Sequence, residues 1–333
     1  MIRTLLIVTL IASFFVSPIN GFAKEAIELT YAERLEQRMS LFQKFETVTN
    51  VPWYYLAAAD SFERGLRRAR RDLPNEAGLI AIYYEPQQWV GALNPNLEDT
   101  HPLSISMFGG VGLDGDGDGL ADPNNDEDVL YTFASHLESY GYDEENIKIG
   151  LWEFYHREKS LQLIIGHAKI YETFNTIALT KNAFPLPLRF NFTYKNTWGD
   201  TRGWGGRRIH EGTDIFAGYG TPVQATTYGI IELKGWNKFG GWRVGIRDVD
   251  NVYHYFAHLS GFEKGIEAGK VVEPGTVIGY VGSSGYGKPG TQGKFPPHLH
   301  YGMYRDNGFI EWSFDPFPSL KRWEKQARAA KRR

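Results

Sequence analysis

The 333-residue chain contains no cysteine. Disulfide scaffolds, thiolate nucleophiles and thiolate metal sites are therefore excluded, and any bound metal must be held by imidazole and carboxylate groups. Net charge is also small, with 36 Lys and Arg against 39 Asp and Glu and a net charge of −3. A nucleic-acid-binding domain is expected to carry a marked positive patch, so no nucleic-acid partner is expected. Long apolar runs are absent except for Leu5 to Val16, which follows Arg3 and precedes a short segment with Gly21 and Ala23 at its end. The run is short for a bilayer span, and small residues at the −3 and −1 positions describe a signal peptide over residues 1–23, cleaved after Ala23. The expectation is an exported protein without stable membrane insertion once that segment is removed.

A mass of 37.8 kDa exceeds what one hydrophobic core usually serves, so two domains are expected. Apolar residues recur at helical spacing over Glu28–Val48, Trp53–Asp72, Glu127–Tyr140, Glu144–Phe154 and Ser160–Phe174. Beyond them, Pro185 and Pro187 mark a connecting stretch, and β-branched and aromatic alternation takes over. The fold class is α+β: a mainly helical domain at 24–174, a linker at 175–191 and an antiparallel, β-sandwich-like domain at 192–318. A basic tail at 319–333 is expected to be an exposed helical or frayed end.

An acidic loop interrupts the helical half. Asp114, Asp116, Asp118 and Asp122 fall on positions 1, 3, 5 and 9 of an EF-hand-type loop, with Gly119 at position 6. Position 12 holds Asn125 instead of a bidentate Glu. Calcium is a candidate ligand here, against the alternative of a solvated acidic turn.

Nine histidines are present, and five fall between positions 210 and 300. His210 and Asp214 offer an imidazole and a carboxylate four residues apart. His298 and His300 stand two apart in a strand-like segment, so both side chains leave the same face. His258 ends another strand-like run, Asn251 to His258. His254 shares its parity along that run, yet is read as a structural or supporting residue. Three protein ligands with a fourth position left for water is the pattern of a catalytic zinc site, and these residues supply more than enough imidazoles for it.

The order H-x-x-x-D (His210, Asp214), Y-x-A-H-L (Tyr255 to Leu259) and H-x-H (His298, His300) resembles the lysostaphin/LytM-type zinc metalloendopeptidases. Gly220-Thr-Pro-Val223, Gly275-Thr-Val-Ile-Gly279 and Gly282-Ser-Ser-Gly285 match the same context. The resemblance implies that His210, Asp214 and His300 ligate zinc, that His258 and His298 are unligated catalytic partners, and that peptidoglycan is the substrate, met in the cell wall. The helical half and the Trp198 to Arg208 segment look closest to sporulation-type L-alanyl-D-glutamate endopeptidases acting in the spore cortex. Val51 to Glu63, with Met107-Phe-Gly-Gly and the acidic loop, faintly resembles lysozyme-like lytic transglycosylases, in which Glu63 would be a general acid. The alternatives are a bifunctional glycosidase and peptidase using Glu63, and a non-catalytic wall-binding activator. For Glu63, pairing with neighbouring arginines on a solvated face is the simpler expectation.

Overall fold

A computed structural model describes residues 30–74, 78–203 and 208–332. The signal segment expected at 1–23 lies outside them. Among the described residues the first half forms α1 (Tyr31–Thr49), α2 (Trp53–Ala69), α3 (Pro86–Val90), α4 (Pro102–Met107), α5 (Asp126–Glu138), α6 (Glu144–Tyr155) and α7 (Glu158–Phe174). Helix α1 starts at Tyr31 because Thr30 and Glu33 form a reciprocal capping box, and Asn125 and Asp143 cap α5 and α6 through backbone N–H groups. Helix α2 is buried along most of its length and forms the axis of the first core with Phe42, Phe45, Leu130, Phe133 and Leu163 around it. Helices α3 and α4 were not foreseen. At five and six residues, each opened by proline, they are too short to display a 3.6-residue period.

The second half contains β1 (Phe192–Tyr194), β2 (Thr201–Arg202), β3 (Arg208–Ile209), β4 (Thr213–Ala217), β5 (Pro222–Gln224), β6 (Gly229–Asn237), β7 (Gly241–Arg247), β8 (Val252–Phe262), β9 (Val271–Val272), β10 (Val277–Val281), β11 (His298–Asp306) and β12 (Glu311–Phe314), followed by α8 (Phe317–Ala330). Ten of these strands join one antiparallel sheet along the path β1-β4-β11-β8-β7-β6-β9, with β5 and β10 branching from β8 and β12 from β11. The long strands β8 and β11 sit at the centre, and each changes partner along its length.

Two expectations change on contact with this structure. The basic tail is a docked helix: α8 buries Leu320 and Trp323 in the second core, while its charged residues face outward. The stretch at 175–191 is also no free spacer, since Ile177 enters the first core and Phe184 and Leu186 enter the second. The two halves meet through apolar and polar contacts, with Val249 packed on the first core and Phe174 against Tyr228. Arg157 donates to both carboxylate oxygens of Asp306 at 2.9 and 2.7 Å, Arg68 pairs with Asp250 at 2.6 Å, and Gly65 lets Asn251 approach so closely that an added Cβ would lie 2.9 Å from its Cβ.

Candidate active site

The site is built on the β4–β11 ladder. His300 stands opposite Asp214, and His298 opposite Phe216, so the two-residue spacing places both imidazoles on the cleft face while Leu299 and Tyr301 turn into the core. His210 reaches the same point from the segment before β4. Its Nδ1 donates to the Thr197 carbonyl at 2.7 Å, which turns Nε2 toward the ladder. Gly212 allows this approach, because a Cβ there would lie 2.7 Å from the His300 ring.

His210 Nε2, Asp214 Oδ1 and His300 Nδ1 converge. They stand 2.9 Å (His210 to His300), 3.1 Å (His210 to Asp214) and 3.1 Å (His300 to Asp214) apart. Ligand atoms of a tetrahedral zinc site lie ~3.3 Å from one another, given metal–ligand distances of ~2.0–2.1 Å. The observed triangle is close to that size. The donor chemistry also fits: the Thr197 carbonyl can only accept, so His210 Nε2 presents a lone pair beside a carboxylate and a second imidazole. Two imidazole nitrogens and one carboxylate oxygen pointing at a shared position make a group able to hold a divalent metal. Burial works to raise the pKa of Asp214, but the His210, His300 and His298 imidazoles around it outweigh that and hold the carboxyl well below its usual range. Arg202 Nη2 donates to the other oxygen, Oδ2, at 2.8 Å.

His258 and His298 complete the group. His258 Nδ1 donates to the Ser284 carbonyl and His298 Nδ1 to the Pro296 carbonyl, each at 2.8 Å. Both Nε2 atoms are therefore left as acceptors. His298 Nε2 lies 3.7 Å from Asp214 Oδ1, and the His258 and His298 rings are 4.8 Å apart. Burial pushes the His258 imidazole down to about 3, helped by the neighbouring His298 and His300.

Simple alternation does not deliver His258 to this cleft. Ala257 pairs with His300 on the cleft side and Phe256 with Tyr301 on the core side, so His258 would point into the core, as His254 does. His258 instead adopts φ 63°, where the β7–β8 and β10–β8 registers shift, and this kink turns the ring outward. His254 stays in the core, hydrogen-bonded to Asp248 at 2.9 Å and to the Tyr301 hydroxyl at 2.7 Å. It takes no part in the cleft.

The cleft has a volume of about 660 Å³, with Tyr255, Tyr286 and Phe295 among its walls. Three supporting residues escaped the sequence reading: Thr197, Arg202 and Ser284. Ser284 lies in the Gly282 to Gly285 loop, whose pattern was a usable signal. Thr197 and Arg202 precede His210 without any periodic or spaced signature.

The other named residues lie elsewhere. Asp114, Asp116 and Asp118 gather in one loop, where their carboxylates accept from Gly117, Gly119, Asp118 and Leu120 N–H groups. Asp122 stands apart from that group and accepts from Asn124. The loop's own hydrogen bonds account for the clustering. Glu63 is not on a solvated face paired with arginine. It is 7% exposed beside Tyr155, and its arginine neighbours are engaged elsewhere: Arg67 on the Pro74 and Ala81 carbonyls, Arg70 on Asp72.

Comparison with known proteins bears on this geometry. The chain is 60% identical over 291 residues to an L-Ala--D-Glu endopeptidase of Bacillus subtilis, covering 87% of this chain and 89% of the relative. It is 35% identical over 115 residues to lysostaphin of Staphylococcus staphylolyticus, covering 34% of this chain and 22% of that protein. The catalytic domain of lysostaphin from Staphylococcus simulans superposes with a TM-score of 0.32 and 30% identity, covering 40% of this chain and 93% of that domain. The sequence pattern of peptidase family M23 matches residues 208–312, the span that carries all five site side chains. With the family pattern lying over the site and a relative this similar along nearly its whole length, the chain belongs to peptidase family M23.

Proposed function

We propose that this protein is an exported, zinc-dependent endopeptidase that cuts the L-alanyl-D-glutamyl bond of peptidoglycan stem peptides, with the spore cortex as its setting. The observation that carries the reading is the convergence of His210, Asp214 and His300 on one point with two further imidazoles, His258 and His298, beside it. The bond itself is taken from the relative that matches 87% of the chain. No helix among the described residues is long and apolar enough to cross a membrane, consistent with action on a wall polymer.

His210, Asp214 and His300 would hold the metal. Bound zinc supplies Lewis acidity toward the scissile carbonyl and makes a water acidic near neutral pH. His258 and His298 do the proton work. Their Nδ1–H groups are anchored on carbonyls, so each Nε2 is free to take a proton from the attacking water. The imidazolium so formed stabilises the developing oxyanion and returns the proton to the leaving amine. Arg202 and Thr197 fix the orientation of Asp214 and His210, the supporting role usual around metal ligands.

Digestion of purified peptidoglycan with mass analysis of the fragments tests this directly. The expected products carry a new D-glutamyl amino terminus and a glycan-linked L-alanine carboxyl terminus. A cut at any other bond would overturn the proposed specificity, and activity that survives exhaustive chelation would overturn the zinc mechanism.

A further inference from the structure

A D-glutamyl residue at the newly formed amino terminus carries two carboxyl groups, and chain continuation can use only one of them. Whichever is used, a free carboxylate lies two to four bonds, roughly 2.5–5 Å, from the scissile nitrogen. A cleft built for this substrate should therefore offer a cation within reach of that charge.

Four basic side chains line the cleft: Arg202, Arg208, Arg243 and Lys294. Arg202 is held by Asp214, Arg208 donates to the Tyr286 hydroxyl at 2.9 Å, and Lys294 donates to the Tyr286 carbonyl at 2.7 Å. Arg243 differs. Among the described residues no carboxylate lies within salt-bridge distance of it, and its Nε is buried without a hydrogen-bond partner. Its guanidinium lies over the Tyr255 ring, 5.9 Å from the centroid, and the Tyr255 ring in turn contacts His300 edge-on at 5.8 Å. Strand β8 alone separates β7, which carries Arg243, from β11, which carries His300. Two strand spacings amount to ~10 Å, a gap that a long arginine side chain and a one-residue offset in the substrate together bridge.

An arginine is charged at every relevant pH, and burying part of its fork without an anion is costly. The neighbouring wall supplies the ring and hydroxyl of Tyr255 but no anion. A substrate carboxylate would complete the arrangement, with charge-assisted hydrogen bonds in the fork geometry that guanidinium offers.

We infer that Arg243 forms an anion subsite that receives the free carboxylate of the D-glutamyl residue on the leaving side of the cut. The inference rests on the bond specificity proposed above. It makes Arg243 a specificity-determining residue, distinct from the five side chains that gather at the metal position.

The test compares two synthetic stem peptides, one with the free carboxylate and one with the same group as a neutral carboxamide, for the wild type, R243M and R243K. Loss of charge-assisted contacts corresponds to roughly a 10- to 100-fold change. The wild type is expected to prefer the carboxylate peptide in kcat/KM by a factor in that range. In R243M the ratio of the two substrates falls toward one, while zinc content stays that of the wild type. R243K retains part of the preference, because charge remains but the fork is lost. A wild type indifferent to amidation, or an R243M enzyme that keeps the preference, overturns the subsite and leaves the bond assignment standing. Failure to cut either peptide between L-alanine and D-glutamate removes both. If R243M does not fold, the wild type and R243K decide the matter: an undiminished preference in R243K overturns the subsite.

Discussion

Asp214 and His300 are directly opposed residues of the β4–β11 ladder, and the carboxylate between them is divided: Oδ1 lies 3.1 Å from His300 Nδ1, while Oδ2 accepts from Arg202 at 2.8 Å. A carboxylate anchored on one oxygen can present the other in a fixed direction. The ladder then sets the spacing between carboxylate and imidazole without relying on side-chain flexibility, since opposed residues on one face hold their Cβ atoms ~4.5–5.5 Å apart. That is the frame on which His210, arriving from outside the sheet, closes the triangle.

Arg202→Gln should weaken the metal site without unfolding the protein. Its side chain is 37% exposed, so its pair with Asp214 is screened and its loss should cost little stability. Losing the anchor on Oδ2 should lower zinc affinity by roughly 10- to 100-fold, the usual consequence of removing a partner of a ligand. Competition against a chromogenic chelator measures this. Unchanged affinity would mean that Arg202 does not orient the carboxylate.

The proposed division of labour among the histidines separates two variants. His210→Ala should lose both zinc and hydrolysis. His298→Ala should keep zinc near one equivalent and lose hydrolysis by roughly 10²- to 10⁴-fold, the range ascribed to general acid–base groups. Metal analysis beside a peptide-cleavage assay distinguishes them, and equal metal loss in the two would contradict the assignment.

What could be read without coordinates followed from periodicity. His298 and His300 were placeable because a strand alternates strictly, and α1, α2 and α5 to α7 because each runs for three turns or more. The orientation of His258 was not readable, because alternation assigns it to the core and only the left-handed kink at φ 63° reverses that. Thr197 and Arg202 act one residue at a time through a carbonyl and a guanidinium, and single contacts leave no pattern. Glu63 was misread because its arginine neighbours in sequence point to backbone carbonyls and to Asp72 instead, leaving the carboxyl buried beside Tyr155.

That burial has a pH signature. Burial raises the Glu63 pKa to about 7 from 4.5, with the Tyr155 hydroxyl and Arg67 opposing the shift. Between those values the folded chain binds more protons than the unfolded chain, so stability falls as pH rises through this window and levels off above it. The full difference is roughly 3 kcal/mol at ~1.4 kcal/mol per unit. Glu63→Gln should therefore be more stable than the wild type at pH 8 and lose that advantage by pH 4. Urea unfolding of the helical half at the two pH values checks the sign, and an advantage confined to low pH would refute it.

The contact between the two halves yields the last expectation. Asp306 is 1% exposed at the end of β11 and takes two hydrogen bonds from Arg157, which stands at the start of α7. The pair of Arg328 with Glu324 on α8, whose arginine is more than half exposed, provides a comparison. Removing one member of a buried pair leaves the other without its counter-charge, at a cost of about 3–5 kcal/mol, whereas an exposed pair is worth less than ~1 kcal/mol. Arg157 keeps a quarter of its side chain in solvent and can partly rehydrate, which places Asp306→Ala toward the lower end. Because the pair joins the helical half to the sheet that carries His300, the loss should loosen their docking before it unfolds either core. Limited proteolysis within 175–183 should accelerate in Asp306→Ala and stay unchanged in Arg328→Ala. Equal cleavage rates in the two would show that this ion pair does not hold the halves together.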